Sequence, residues 1–379
     1  MRALPNQVLE AFYSSDAVRR LLEGLPGPGE LRVLGGAVGS SGLAAVAALH
    51  AARENQVQLL LCPNPQAAAS VETDLEVLLG TGVSYLYPQR EALPYEASEP
   101  HLEVGGLRME ALEGVFSGRA RILVTTLRAL QERSPVPASL ADLRLSLWVG
   151  MERGFQDLQG ALEERGFERV PLVEEVGQFA VRGGILDLFS FGAPEPVRVE
   201  FWGDEITSLR TFDILDQRSI RSLDEVHILP VNPGAGGDNG QVGRSLLELL
   251  PSDTLLVEMG EEDWARELNR TWGHAGDIRD EILRQGGGPA PLDEIFLSPG
   301  ETLRRLEAFP RLRAQEATTG DLDLETEPPP AFNRKMDLLR GFLVEGAVRG
   351  EDTVILCDND GQVQRLEEIL EEQGLPQGT

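Results

Sequence analysis

The stretch LGGAVGSSGLA at residues 34–44 follows the apolar run Leu31, Val33 and Leu34, and it opens an Ala-rich helical pattern. A buried strand, a glycine turn and a helix in that order constrain the chain to an α/β architecture, and they mark the position of a phosphate-binding loop in an ATPase. Such a loop needs backbone amides to cradle phosphate, a lysine to reach the β/γ oxygens and a hydroxyl to hold Mg²⁺. Aligned with G-x-x-G-x-G-K-T, Gly36 and Gly39 keep the turn, but Gly42 stands at the lysine position and Leu43 at the hydroxyl position. The expectation is a degenerate nucleotide loop kept as scaffold, with residual nucleotide binding as the alternative.

The acidic strand end of a helicase-type ATPase is altered too. In LLVEMGEEDW, Met259 and Gly260 occupy the positions where Asp-Glu would hold Mg²⁺ and position water. Glu258, Glu261 and Glu262 lie nearby but out of register. No catalytic residue, metal site or cofactor is therefore expected in this segment.

Strand and helix signals alternate early, with VQLLLC (57–62), AAASVETDLEVLLG (67–80) and RILVTT (121–126). Buried strands between amphipathic helices imply a parallel sheet. After SPVPAS (134–139) the texture changes to period-two strands such as LRLSLWV and VRVEFW, with one helix around 157–165, which reads as an α+β module with one solvated sheet face. It is inserted, because α/β texture returns at DTLLVEM (253–259). VNPGAGGDNGQ (231–241) reads as a Gly-rich surface loop, and the acidic, Pro-rich TTGDLDLETEPPPAF (318–332) as a linker.

A weak internal repeat links VQLLLCPNPQAAASVETDLEVLLG to DTVILCDNDGQVQRLEEILEEQG: a buried strand, Cys-x-Asn at its end, then an acidic helix. Two such halves fit a pair of RecA-like or Rossmann-like domains, although any two βα units share this much. The chain stops soon after the second unit's helix, so a fragment of a longer protein is expected.

The formal charge is −28, from 62 acids against 34 bases. Phosphate contacts supply most non-specific DNA affinity, so this balance lowers the expectation of direct DNA binding by this segment. No run is long enough to span a bilayer, and the N-terminus lacks a signal-peptide pattern. Two cysteines (Cys62, Cys357) and four scattered histidines offer neither a disulfide framework nor zinc spacing. A cytoplasmic protein is the simple expectation.

One surface looks used. If residues 197–202 form a strand, Val197, Val199 and Phe201 face one side, while Arg198, Glu200 and Trp202 face the other. An exposed tryptophan beside an arginine has the composition of a protein–protein hot spot; a cation–π decoration or burial under a loop is the alternative. Arg182 precedes Gly183-Gly184, a pair that suggests a bulge or a close backbone approach within a strand, and Arg182 then joins Arg198 on one surface.

LPYEASEPHLEVGGLRMEALEGV, ILVTTLRALQER, GQFAVRGGILDLFSFG and VRVEFWGDEITSLRTFDILDQRS resemble the N-terminal, UvrB-like module of the Mfd family, the bacterial transcription-repair coupling factors. That module is itself similar to the nucleotide excision repair protein UvrB. The resemblance implies a split degenerate helicase-like (RecA-like) α/β domain (1–137 plus 226–318) and an inserted α+β UvrA-binding domain (138–225). It further implies an acidic linker (319–330) and the truncated start of a second RecA-like domain (331–379). It maps the family's UvrA-contacting positions onto Arg182, Arg198 and Trp202, the last a tryptophan where phenylalanine is common. It also implies masking of that surface by the parent's C-terminal domain, and contacts with RNA polymerase and DNA through parts of the parent not present here. The function implied is a catalytically inert adaptor that recruits UvrA for nucleotide excision repair. The alternative is a UvrB-type ATP-dependent damaged-DNA-binding enzyme. The altered loop, the altered acidic motif and the lack of room for a Tyr-rich hairpin all favour the adaptor.

Overall fold

The computed structural model describes residues 4–96, 102–134, 144–231, 243–260, 263–328, 330–332, 335–355, 357 and 359–372. The first four strands are short apolar runs: β1 (Leu31–Gly35), β2 (Gln58–Cys62), β3 (Ser84–Tyr87) and β4 (Ile122–Thr126). Every residue of β2 and β4 is buried, as befits strands covered on both faces. Alternation then splits their side chains between two cores. Leu59 and Leu61 join Leu123, Met109 and Leu112 on one side of the sheet. Leu60 and Cys62 join Val124, Val46 and Leu75 on the other.

The chain leaves this layer after the short helix Leu127–Gln131 and enters the insert. Its strands are β5 (Leu145–Trp148), β6 (Glu168–Arg169), β7 (Gln178–Arg182), β8 (Ile185–Leu188), β9 (Val197–Trp202), β10 (Glu205–Phe212), β11 (Ser219–Leu223) and β12 (Glu225–Ile228). Six of them form a sheet in the order β11-β10-β9-β8-β7-β6, antiparallel except for β6 with β7, while β5 and β12 pair separately. The helix Phe155–Glu164 covers one face through Leu158 and Leu162. Because β12 pairs with β5 and Val231 joins the same core, the insert continues beyond residue 225.

Chain exit and return are tied together. Ser134 and Arg244 exchange backbone hydrogen bonds of 2.9 and 2.8 Å, which close the stem of the insert. Beneath this stem, the fully buried Arg108 donates to Glu132 (2.5 Å), the Tyr87 hydroxyl (2.8 Å) and Ser134 Oγ (2.9 Å). A buried guanidinium is tolerated only with such partners.

After the stem the first sheet resumes with β13 (Leu255–Met259), β14 (Arg311–Ala314) and β15 (Leu322–Asp323). The completed sheet is parallel throughout, in the order β15-β1-β14-β13-β2-β4-β3. The helices Trp264–Arg284 and Pro299–Ala308 pack on the face that carries Leu59 and Leu256.

Three expectations are corrected here. The glycine pair is not a bulge: Arg182 pairs with Ile185, so Gly183 and Gly184 form the two-residue turn of the β7–β8 hairpin, with Gly183 at φ +61°. The first part of the supposed linker at 319–330 is folded instead, because Leu322 and Asp323 pair with β1 and Leu324 is buried in the core. The strand expected near 353–357 is not formed among the described residues: Thr353, Val354 and Ile355 carry no ladder and are exposed. A buried parallel strand needs neighbours to accept its amides, and the described residues from Glu327 onward supply only the helices Met336–Arg349 and Asp360–Glu372. The Gly-rich loop at 231–241 lies outside the described residues except for Val231, as do Glu261 and Glu262.

Candidate functional site

The outer face of the insert sheet brings Arg182, Arg198 and Trp202 together, as the alternation in β9 implies. Val197 and Val199 are buried, while Trp202 is 82% exposed. Trp202 precedes the tight β9–β10 turn, where Gly203 takes φ +65° and Glu205 pairs back with Trp202. The Gly183-Gly184 turn lies at the same end of the sheet, and Gly184 O accepts from Phe201 N at 2.8 Å. Two adjacent hairpin tips thus display Arg182 and Trp202 roughly 10 Å apart, about two strand spacings.

Arg198 is placed differently. Only 16% of its side chain is accessible, against 52% for Arg182. Its guanidinium lies over the Phe212 ring, 4.6 Å from the centroid, and Nη1 donates to Gln217 O at 3.2 Å. Phe212 belongs to a second small core with Val173, Ala180 and Phe189, so part of this sheet face is covered and not solvated.

Sequence reasoning missed the group that organises the cluster. Asp187, on β8, is the register partner of Arg198 and is buried. Its Oδ1 accepts from Arg198 Nε at 2.7 Å, and its Oδ2 accepts from Arg198 Nη2 at 2.9 Å and Arg182 Nη2 at 3.2 Å. These bonds raise the Arg198 pKa above its ordinary value. The signal was present in the pattern R-G-x-x-x-D-x-F, but the acid becomes informative only once the hairpin register is known. Two arginines on one carboxylate leave a local cationic surplus in an acidic protein.

The glycine loop between β1 and the helix Ser41–Ala52 keeps its turn, with Gly36 at φ +69° and Gly39 at φ +55°. Its amides are engaged by the chain itself. Gly36 N donates to Ala317 O (3.1 Å), Ala37 N to Gln315 O (2.9 Å) and Val38 N to Gly36 O (2.9 Å). Thr326 Oγ1 donates to Gly36 O and lies 3.1 Å from Ser41 Oγ. Leu43 is buried, and a side-chain carbon at Gly42 would meet Ala37 and Met259. At the acidic position, Glu258 is buried and accepts from Arg313 Nε at 2.7 Å, with Gly260 following at φ +143°.

Residues 145–233 match the UvrB interaction domain family. Over 231 residues, 59% of this chain and 18% of the relative, the chain is 35% identical to the transcription-repair-coupling factor of Mycobacterium tuberculosis (strain CDC 1551 / Oshkosh). This chain is similar to part of the transcription-repair-coupling factors. The likeness reaches 29% identity over 75% of the chain for the Haemophilus influenzae factor, and 27% over 83% for that of Escherichia coli (strain K12). The chain spans 18% to 28% of the length of these relatives. Within this transcription-repair-coupling likeness, Arg182, Asp187, Arg198 and Trp202 all fall inside the matched interaction domain, while the glycine loop falls outside it.

Proposed function

We propose that this chain is an adaptor of transcription-repair coupling that docks UvrA on the hairpin tips bearing Arg182 and Trp202. The observation that carries the reading is a tryptophan left 82% exposed beside an accessible arginine, within a segment that matches the UvrB interaction domain. Exposed aromatic and arginine side chains are the usual anchors of protein interfaces. Arg198 serves beneath them, held by Asp187 so that the hairpins keep their relative position. In a longer parent this face is also the surface that a C-terminal domain would mask, and RNA polymerase and DNA would be engaged by other parts.

The same reading makes the segment inert toward nucleotide. Its loop has no lysine to reach phosphate, and its first amides already donate to Gln315 and Ala317. Hydrolysis would also need a metal-binding hydroxyl and an acid at the strand end, which Leu43 and Met259 cannot supply.

Co-elution of the chain with purified UvrA in size-exclusion chromatography tests the adaptor role. A complex with the unaltered chain, lost with Trp202→Ala, is expected. Separate elution of the folded, unaltered chain and UvrA at micromolar concentration contradicts the proposal.

A further inference from the structure

A second, unassigned surface lies between the insert and the parallel layer. A cleft of ≈ 1070 Å³ opens there. One wall comes from the helices Pro65–Leu79 and Leu102–Ser117, which contribute Glu72, Glu76, Glu103 and Glu110. The facing wall contributes Glu168, Glu174 and Glu175, together with the apolar side chains Val176 and Phe189. Among the described residues the one basic lining residue, Arg119, is already engaged by Glu113.

The cleft is built by a close contact between the two parts. Phe191 sits against Gly106, where even a methyl group would come within 1.8 Å of the ring. This contact fixes two acidic walls facing each other. Like charges gathered on the helical wall repel, and Glu72 shows the effect within that wall: burial first, then Glu76 and Glu110, push its carboxyl up to about 7. An independent polar feature belongs to the lining. Ser84, on the edge strand β3, lines the cleft and is 4% exposed, yet its hydroxyl has no hydrogen-bond partner. A buried hydroxyl left unpaired is costly and is normally satisfied.

We infer that this cleft receives an extended basic segment of a protein partner, with arginine or lysine side chains against the glutamates and apolar ones against Val176 and Phe189. Charge complementarity selects a cation, and the volume and mixed walls select a chain over an ion. Among the described residues no group of His, Cys, Asp and Glu is arranged to hold a metal ion. The site is separate from the hairpin tips: Gln178, which lines the cleft, and Arg182 are at opposite ends of β7, about 13 Å apart. It therefore stands or falls independently of UvrA docking.

The test is fluorescence anisotropy with a labelled peptide of about eight residues, alternating arginine and valine, at about 0.15 M ionic strength. Binding is expected to weaken at least about tenfold in the combined Glu72→Gln, Glu76→Gln, Glu110→Gln variant. It should change less than about twofold when Glu267, Glu281 and Glu294, away from the cleft, are replaced by Gln. Glu76→Lys, on an exposed position, gives a second reading should the triple variant fold poorly, and it is expected to weaken binding alone. Equal weakening in the distant variant would show that only overall charge is read, and would overturn the proposal. So would absence of binding by the unaltered chain, or displacement of the peptide by spermine at an equal or lower concentration, which would make the ligand a small polyamine.

Discussion

Asp187 and Arg198 face each other across β8 and β9, joined by two hydrogen bonds of 2.7 and 2.9 Å, with the acid buried and the base largely covered. The pair separates two roles that a linear reading merges. Arg198 and Asp187 hold the sheet face, whereas Arg182 and Trp202 present it.

Stability should divide along that line. Removing one partner of a buried pair strands the other, so Asp187→Ala is expected to cost about 3 kcal/mol. Trp202→Ala should stay within about 0.5 kcal/mol, since its side chain is exposed. Urea denaturation midpoints at constant m-value measure both. Equal losses would show that Trp202 is a packing residue.

The Gly106–Phe191 contact predicts a size limit. Gly106→Ala places a carbon 1.8 Å from the Phe191 ring and forces the insert to shift. Overpacking of this kind costs about 1–3 kcal/mol. Combining it with Phe191→Leu should recover part of the loss, because contacting residues do not behave additively. A strictly additive double variant would mean the two do not meet.

How much of this was legible in the residues follows from what each reading depends on. Strands β2, β4 and β13 each carry three or more consecutive apolar residues (59–62, 122–124 and 255–257), as a sheet covered on both faces requires. Period two gave the side of β9 on which Trp202 lies, but its exposure comes from its place at the hairpin tip, since Arg198 on the same face is largely covered. The role of Asp187 was not legible, because it depends on which strand lies opposite and in what register. The Gly183-Gly184 pair shows the same limit, since a bulge and a hairpin turn both call for glycine. β15 hid in acidic surroundings, where only Leu322 and Leu324 betray it. The apolar run at 353–357 misled in the opposite direction: among the described residues Thr353, Val354 and Ile355 join no ladder.

Restoring the consensus groups should not restore a nucleotide site. In Gly42→Lys, Leu43→Thr, the amides of Gly36 and Ala37 still donate to Ala317 and Gln315. Calorimetry with MgATP is expected to give no binding tighter than about 1 mM, near −4 kcal/mol. A micromolar Kd would contradict the inert reading.

The acidic cleft predicts a pH signature. Glu72 has its carboxyl raised from 4.5 to about 7 in the folded chain, by burial first, then by Glu76 on its own helix and Glu110 on the helix Leu102–Ser117, with Glu103, Arg119, Glu168, Glu174 and Glu175 also lining the cleft. A raised carboxyl binds its proton more tightly when folded. Its contribution is thus fully present below pH 4.5 and is lost as pH rises through about 7. Glu72→Gln should therefore gain stability relative to the unaltered chain over that window. The gain should be less than about 1 kcal/mol, since the group is only partly buried and solvent screens it. A Tm difference that stays flat over that window would contradict the assignment.

The central claim is that Arg182 and Trp202 present the docking face for UvrA. Isothermal titration of the chain into UvrA, beside Trp202→Ala and Arg182→Ala variants of unchanged stability, tests it most directly. Loss of a hot-spot side chain should cost about 2 kcal/mol, roughly thirtyfold in Kd, for Trp202→Ala, with a smaller loss for Arg182→Ala. Binding by both variants at the affinity of the unaltered chain would contradict the account.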